Sequence, residues 1–254
     1  MNTLVKKSFL SVSLALTLSA SANAFCIGSL CHDGYIGIGA IYTNLGDNAQ
    51  ASASGYGGYL HLGYESILAY RFLASIDGLI AGGVRDLKGD TLSRFKPHAA
   101  FLNLEGNLKF GVNILTDNAP LFISPLLRVE KFLSSGFDRT LYHLGGDIQG
   151  KIPIGGNQSY VLYGGGYTYI VGEGYTFKGG ASVNSIIENR YNYGIHAHLG
   201  FSSKLSEHMS YYVKVLGKFY SLKASDVATL NNVDISYPAT NAYSVMLEIG
   251  ATGF

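Results

Sequence analysis

The chain is poor in charge, poor in cysteine and free of long hydrophobic runs. Only 14% of its 254 residues are charged and only two are cysteine. Past residue 24 no apolar stretch approaches the roughly 20 residues of a membrane-spanning helix, which excludes a helical membrane protein. Yet the mean hydropathy is positive, at +0.18. Low charge, positive hydropathy and no long run together require a structure that hides apolar residues one at a time, by alternation. Transmembrane β-strands do that.

Charge balance excludes further partners. Lys and Arg number 18 against 17 Asp and Glu. Two of the cations, Lys6 and Lys7, precede a short apolar stretch, Phe9 to Leu18, and then Ala22-Asn23-Ala24. A positive start, a short apolar core and a small-residue cleavage site read as a secretory signal peptide, residues 1–24, cut after Ala24 and exported through the Sec pathway. A retained anchor is the alternative, and the apolar stretch is too short to span a membrane. Processing leaves a nearly neutral chain, with no reason to expect nucleic acid or a polybasic lipid-binding surface.

Export places Cys26 and Cys31 in an oxidising compartment, where a small disulfide loop is expected. Lipidation of Cys26 is disfavoured because the bulky Phe25 precedes it. Cys26, Cys31, His32 and Asp33 sit too close together for a tetrahedral metal site, so neither metal nor cofactor is expected. Residues 25–34 read as a periplasmic N-terminal tail and 35–254 as one domain.

From Tyr35 the chain alternates apolar and polar residues, period two, the signature of strands with one oily side. The segments are Tyr35 to Asn44, a double-length span from Tyr56, Leu102 to Ile114, Leu121 to Val129, and Tyr142 to Ile152. Val161 to Val171, Tyr191 to Phe201, Tyr211 to Phe219 and Ala242 to Phe254 complete the set. The double span exceeds the usual strand length and is split near Ser66 to Ala69, although Asp77-Gly78 is the better turn dipeptide. Ten strands result, with eight or twelve as the neighbouring counts. Short connections (Ser66–Ala69, Thr116–Pro120, Gly155–Gln158, Ser206–Met209) alternate with longer ones (46–55, 86–97, 134–140, 172–189, 223–241). With a periplasmic N-terminus the short ones all face the periplasm, as in outer-membrane barrels.

In the last segment Tyr243, Val245, Leu247, Ile249 and Ala251 form one face, and the chain ends on Phe254. An amphipathic C-terminal strand closing on Phe resembles the last strand of Gram-negative outer-membrane β-barrels. That resemblance implies pairing with the first strand, and recognition of Phe254 by the barrel-assembly machinery after escort by periplasmic chaperones. Phe254 is out of phase with the oily face, so either Gly250 or Gly253 carries a bulge or the signal is a loose variant. The fold expected is an all-β, antiparallel up-and-down transmembrane barrel in the cell outer membrane, with lipid as its surrounding.

A soluble lipocalin-like barrel would reverse the faces. Three features favour lipid outside. On the oily face Tyr42, Tyr56, Tyr142, Tyr169, Tyr191, Phe219 and Tyr243 ring the outer rim, and Phe110, Phe201 and Tyr211 ring the inner one. Leu104, Leu144, Ile195, Val213 and Leu247 lie between these girdles. The polar face is rich in glycine, as a narrow interior needs, and charge is scarce.

That face gives the lumen Lys109, Arg128, Lys151, Lys214 and Lys218 against Glu65, Glu105, Glu130, Asp147 and Glu248. Equal numbers of each sign suggest ion pairs across a narrow bore, because an unpaired buried charge costs several kcal/mol. His61, His143, His196 and His198 share the lumen parity. His196 and His198, at i and i+2, could grip a metal, but no third ligand is identifiable, and hydrogen bonding within a polar lumen is the simpler reading. His143, Asp138 and Asp147 are the nearest approach to a hydrolytic set, yet one strand holds them too far apart to touch. Gly164-Gly165-Gly166 lies within a strand with no helix after it, so it is no phosphate loop.

The expected role is structural or surface-interacting, adhesin-like, with no enzymatic activity. Host or surface ligands would be met through loops 172–189 and 223–241, since loops on rigid scaffolds carry binding. A small-solute or ion diffusion pore is the second reading, and an outer-membrane protease or lipid hydrolase the third.

Overall fold

Alternation of this kind leaves each strand with one face that must avoid water and one that must be satisfied internally, and closing the sheet meets both needs. In the computed structural model, residues 25–47, 52–88, 98–134, 137–155, 158–177, 182–186, 191–206, 209–230, 233–236 and 239–253 are described. Ten long strands form the wall: β1 (Leu30–Asp47), β2 (Ser52–Leu68), β3 (Phe72–Lys88), β4 (His98–Asn113) and β5 (Leu121–Ser134). The second half is β6 (Phe137–Ile154), β7 (Ser159–Phe177), β8 (Tyr193–Lys204), β9 (Ser210–Leu222) and β10 (Thr240–Thr252). Each pairs antiparallel with its neighbour and β10 pairs with β1, so the barrel closes with no free edge.

The faces are assigned by burial. Ile38, on the oily side, is 63% exposed, while Glu248, on the polar side, is 0% exposed. Greasy outside and charged inside is the inverse of a water-soluble barrel, and only a hydrocarbon surrounding stabilises it. Tyr42, Tyr56, Tyr142 and Tyr243 stand exposed toward one end, and Tyr64, Phe72, Phe110 and Tyr211 toward the other. Tyr42 and Tyr243 meet across the closing seam with ring centroids 6.2 Å apart.

The strands run further than their apolar alternation. β1 starts at Leu30, five residues before Tyr35, so the expected tail is partly wall. Phe25–Ile27 folds back on Leu30–His32 around Gly28 at φ +62°, which sets Cys26 opposite Cys31, and the two form a disulfide. At the other end the expected loops shrink. Only residues 135–136 separate β5 from β6, in place of a loop over 134–140. β7 continues to Phe177 and pairs with a further strand, Ser182–Ile186, where a long loop over 172–189 was expected. Within 223–241, Ala228–Leu230 pairs with Val233–Ile235. The physical reason is common to all three. Beyond the bilayer, lipid no longer selects an oily outer face, so strand pairing persists while the alternation that betrays it disappears.

The split of the double span falls at Leu68–Arg71, where Arg71 N–H donates to Leu68 O at 3.0 Å. Ala69 and Tyr70 both adopt left-handed backbone, φ +51° and +57°, as a two-residue hairpin turn demands. Neighbours hold this non-glycine turn: Ala69 N–H reaches Ser29 O, and Asn113 Nδ2 donates to Tyr70 O. Asp77 and Gly78, the better dipeptide, lie in mid-strand instead.

At the seam the β1–β10 register runs unbroken past Gly250 to Thr252, and Gly253 turns the chain at φ +98°. Gly253 N–H donates to Asp33 Oδ1 at 2.8 Å and Gly34 O at 2.9 Å. Phe254 and the signal peptide lie outside the described residues. One irregularity interrupts β6–β7: the register shifts between Tyr142 and His143. Ile170 points inward, Val171 outward, and Glu173 and Tyr175 inward again, which reverses the parity of the outer part of β7.

Candidate functional site

Two layers of buried side chains fill the bore. The first is a belt of charge at mid-height. Glu248 accepts from Tyr212 Oη at 2.7 Å, from Lys214 Nζ at 2.9 Å and from His61 Nδ1 at 3.1 Å. His61 Nε2 faces Asp77 at 3.3 Å, and Asp77 accepts from Asn107 Nδ2 at 2.7 Å. Asn107 also donates to Glu105 at 3.0 Å and accepts from Arg128 Nε at 2.7 Å. Glu105 is held by Arg128 at 3.3 Å and by Lys218. Arg128 continues to His196 Nδ1 at 3.5 Å, and His196 Nε2 meets Asp147 at 3.1 Å. Lys109 lies 4.0 Å from Asp147 and donates to Gln149, which donates to Glu65 at 3.1 Å. Strands on opposite sides of the barrel are thereby joined through side chains. A buried ion is stable only where opposite charge and hydrogen bonds replace water, and here nearly every ion has both.

Lys151 departs from the expectation. It stands exposed at the inner mouth, its ammonium 5.0 Å from the centroid of Tyr160, rather than within the belt. The other nine expected lumen charges point inward. Glu105 and Glu130 are direct cross-strand partners, an opposition that would repel, but each turns to its own cation. Glu130 takes Arg139 at 3.3 Å.

The histidines explain the glycine run. His196 pairs with Gly166 and His198 with Gly164 across β7–β8. A Cβ on Gly166 would come within 2.6 Å of His196 Cε1, and one on Gly164 would strike His198. The inward glycines are slots for imidazole rings. His143 Nδ1 bonds to Thr168 Oγ1 at 3.2 Å, and its ring lies 5.7 Å from that of Tyr220. Asp147 belongs to His196 and Asp138 lies at the outer end of β6, so these three form no hydrolytic set. Among the described residues no group of three or more His, Cys, Asp or Glu is placed to hold a metal ion.

The second layer lies toward the outer end of the bore, and sequence reasoning missed most of it. Phe101 and Phe132 stack at 6.1 Å, and the Arg85 guanidinium lies 4.4 Å from the Phe132 centroid and 5.4 Å from that of Phe101. Arg139 approaches Phe132 from 5.7 Å, so cation–π contact and charge both fix it. Beside them Glu173 accepts from Tyr175 Oη at 3.2 Å and from Asn192 Nδ2 at 3.4 Å. Between the layers lies a cavity of about 50 Å³, bordered by Glu130, Lys218 and Tyr220. Arg139 carried a sequence signal, as an inward-parity charge in the segment 134–140 taken for a loop, while Arg85, one residue before the loop expected over 86–97, shares the polar-side parity of its span and was not singled out. Glu173 and Tyr175 carried none, since the β7 bulge reverses their phase.

No protein-family model and no curated protein sequence matches this chain. In fold it is similar to the outer membrane protease OmpT of Escherichia coli, with a TM-score of 0.60 and 10% identity over 92% of this chain and 99% of that one. It also matches the translocator domain of the autotransporter NalP of Neisseria meningitidis (TM-score 0.41, 9% identity, 98% of this chain and 96% of that one). A third match is the outer membrane protein OprG of Pseudomonas aeruginosa (0.38, 13%, 87% and 94%). The two lower scores carry no argument. The OmpT likeness shows the fold, that of outer-membrane β-barrels, in line with the class-level resemblance of the C-terminal strand. At 10% identity it transfers no site.

Proposed function

We propose that this protein is a closed barrel of the cell outer membrane whose working surface is its outer end, with a structural or surface-interaction role. One observation carries the reading: the belt that joins Glu248, His61, Asp77, Glu105, Arg128 and Lys218 across the bore is buried throughout. A barrel of about eight strands is just filled by its side chains, and ten strands filled with paired charge leave no route for solute. The interior then serves as a rigid plug, and the strands carried past the bilayer hold a platform for recognition. Against the hydrolase reading, among the described residues His143 bonds to Thr168 and Asp147 to His196, so His143 and Asp147 are each engaged elsewhere.

The test replaces 178–191 and 224–238 by short turns in otherwise intact protein, and measures adherence of expressing cells to host-cell or matrix surfaces. Adherence falls to background while the barrel still resists unfolding in cold detergent. Unchanged adherence with both segments gone would defeat the reading.

A further inference from the structure

The lipid-facing wall has a recess that the barrel's own packing does not explain. Across β2 to β5, Leu62, Gly78, Gly106 and Val129 stand in one cross-strand row on the outer face. The next row toward the outer end is Leu60, Ile80, Leu104 and Lys131. Two adjacent glycines thus face lipid between flanking Leu62 and Val129, and a groove of about 370 Å³ opens there.

Neither glycine is required from within. A Cβ on Gly106 would meet nothing within 4 Å, and one on Gly78 only Glu105 O at an ordinary 3.5 Å. Neither has a left-handed φ. Inward Gly166 differs, because His196 occupies the place of its side chain. Glycine within a strand weakens it and marks a bulge, a tight bend or the close approach of a ligand or another backbone, and the register through Gly78 and Gly106 is unbroken, with no bulge. The groove's lining is almost wholly apolar except at one edge. Lys131 is exposed there, two residues and so about 7 Å along the strand beyond Val129. Val129 is paired with Tyr142 of the outer aromatic ring, which puts the ammonium at headgroup level.

We propose that this recess seats one acyl chain of the phosphorylated glycolipid of the outer leaflet, with Lys131 holding its phosphate. Hydrocarbon is the medium at the glycine row, so a chain fills the recess by dispersion contact. An anion is what a cation at the interface attracts. The apolar slot and the charge above it match a lipid's chain and headgroup in order and orientation.

The full mature protein, purified in mild detergent, is offered lipid A, phosphatidylglycerol or phosphatidylethanolamine, and retained lipid is counted by native mass spectrometry. One lipid A per barrel is expected in preference to either phospholipid. Gly106→Val fills the recess and Lys131→Glu reverses the charge, and each lowers retention about tenfold. Gly217→Val is the control, since a Cβ there also meets nothing within 4 Å, and it retains lipid A as the unaltered chain does. Circular dichroism and resistance to unfolding in cold detergent confirm that all three variants fold. Equal retention by the recess variants and the control overturns the proposal. So does equal retention of phosphatidylglycerol, which would make the site one for any anionic lipid. A dimer that Gly106→Val dissociates would also overturn it, by making a second copy of the chain the occupant.

Discussion

The membrane belt and the outer extension are one continuous wall under different rules. In the belt, Ile38, Leu144 and Leu247 face lipid while Glu248, Glu105 and Arg128 face one another. Every second residue is assigned by solvent, and burial enforces the register. In the extension, beyond Tyr42 and Tyr142, the wall is held by backbone pairing, stacked Phe101 and Phe132, and Arg85 and Arg139 over them. Its outermost piece, the Ala228–Leu230 and Val233–Ile235 hairpin, pairs only with itself among the described strands. The lesson is that stability concentrates where an error would strand a charge or a greasy side chain, and tolerance of change concentrates where it would not.

That contrast can be broken in order of size. Glu105→Ala removes the shared partner of Lys218 and Arg128 and leaves both cations buried. A loss of about 3–5 kcal/mol is expected, read as a lowered urea midpoint in detergent micelles. Loss below about 1 kcal/mol would mean that water reaches the belt. Ile148→Arg, lipid-exposed and midway between Tyr142 of the outer ring and Ile154 at the inner end of β6, is expected to cost about 2–4 kcal/mol in bilayer refolding. Lys131→Leu, on the same face but at its outer edge, changes little, and equal costs at the two sites would dissolve the distinction. Gly166→Val, which drives a side chain into His196, costs about 1–3 kcal/mol by overpacking. Asp234→Ala in the outer hairpin removes only an exposed bond from Thr229, and unfolding is expected to be unchanged within error.

The same boundary separates what could be read in the sequence from what could not. Ten strands, their oily faces and nine of the ten lumen charges follow from period-two alternation, because lipid and lumen alternate along every belt strand. The outer limits of β5, β6 and β7 do not, since both faces there are polar or both are packed. Arg139 was hidden for that reason: inward parity has meaning only once a segment is known to be strand, whereas Arg85 kept the polar parity of the span before the loop expected over 86–97. The bulge at Tyr142/His143 hid Glu173 and Tyr175 differently, by moving them out of phase, and Gly172 beside the extra residue Val171 lay inside a segment read as loop. Asp77 was the reverse case. Its turn-like dipeptide with Gly78 drew attention from its bond to His61, and only the fold shows that a turn formed by Ala69 and Tyr70 is held from outside by Ser29 and Asn113.

The proposed plug is open to a direct electrical test. With the purified protein in a planar bilayer at neutral pH, the account predicts no steady conductance above the bare membrane. Shortening the belt by Arg128→Ala together with Lys218→Ala should produce discrete channel openings. A large, stable open conductance from the unaltered protein would contradict it.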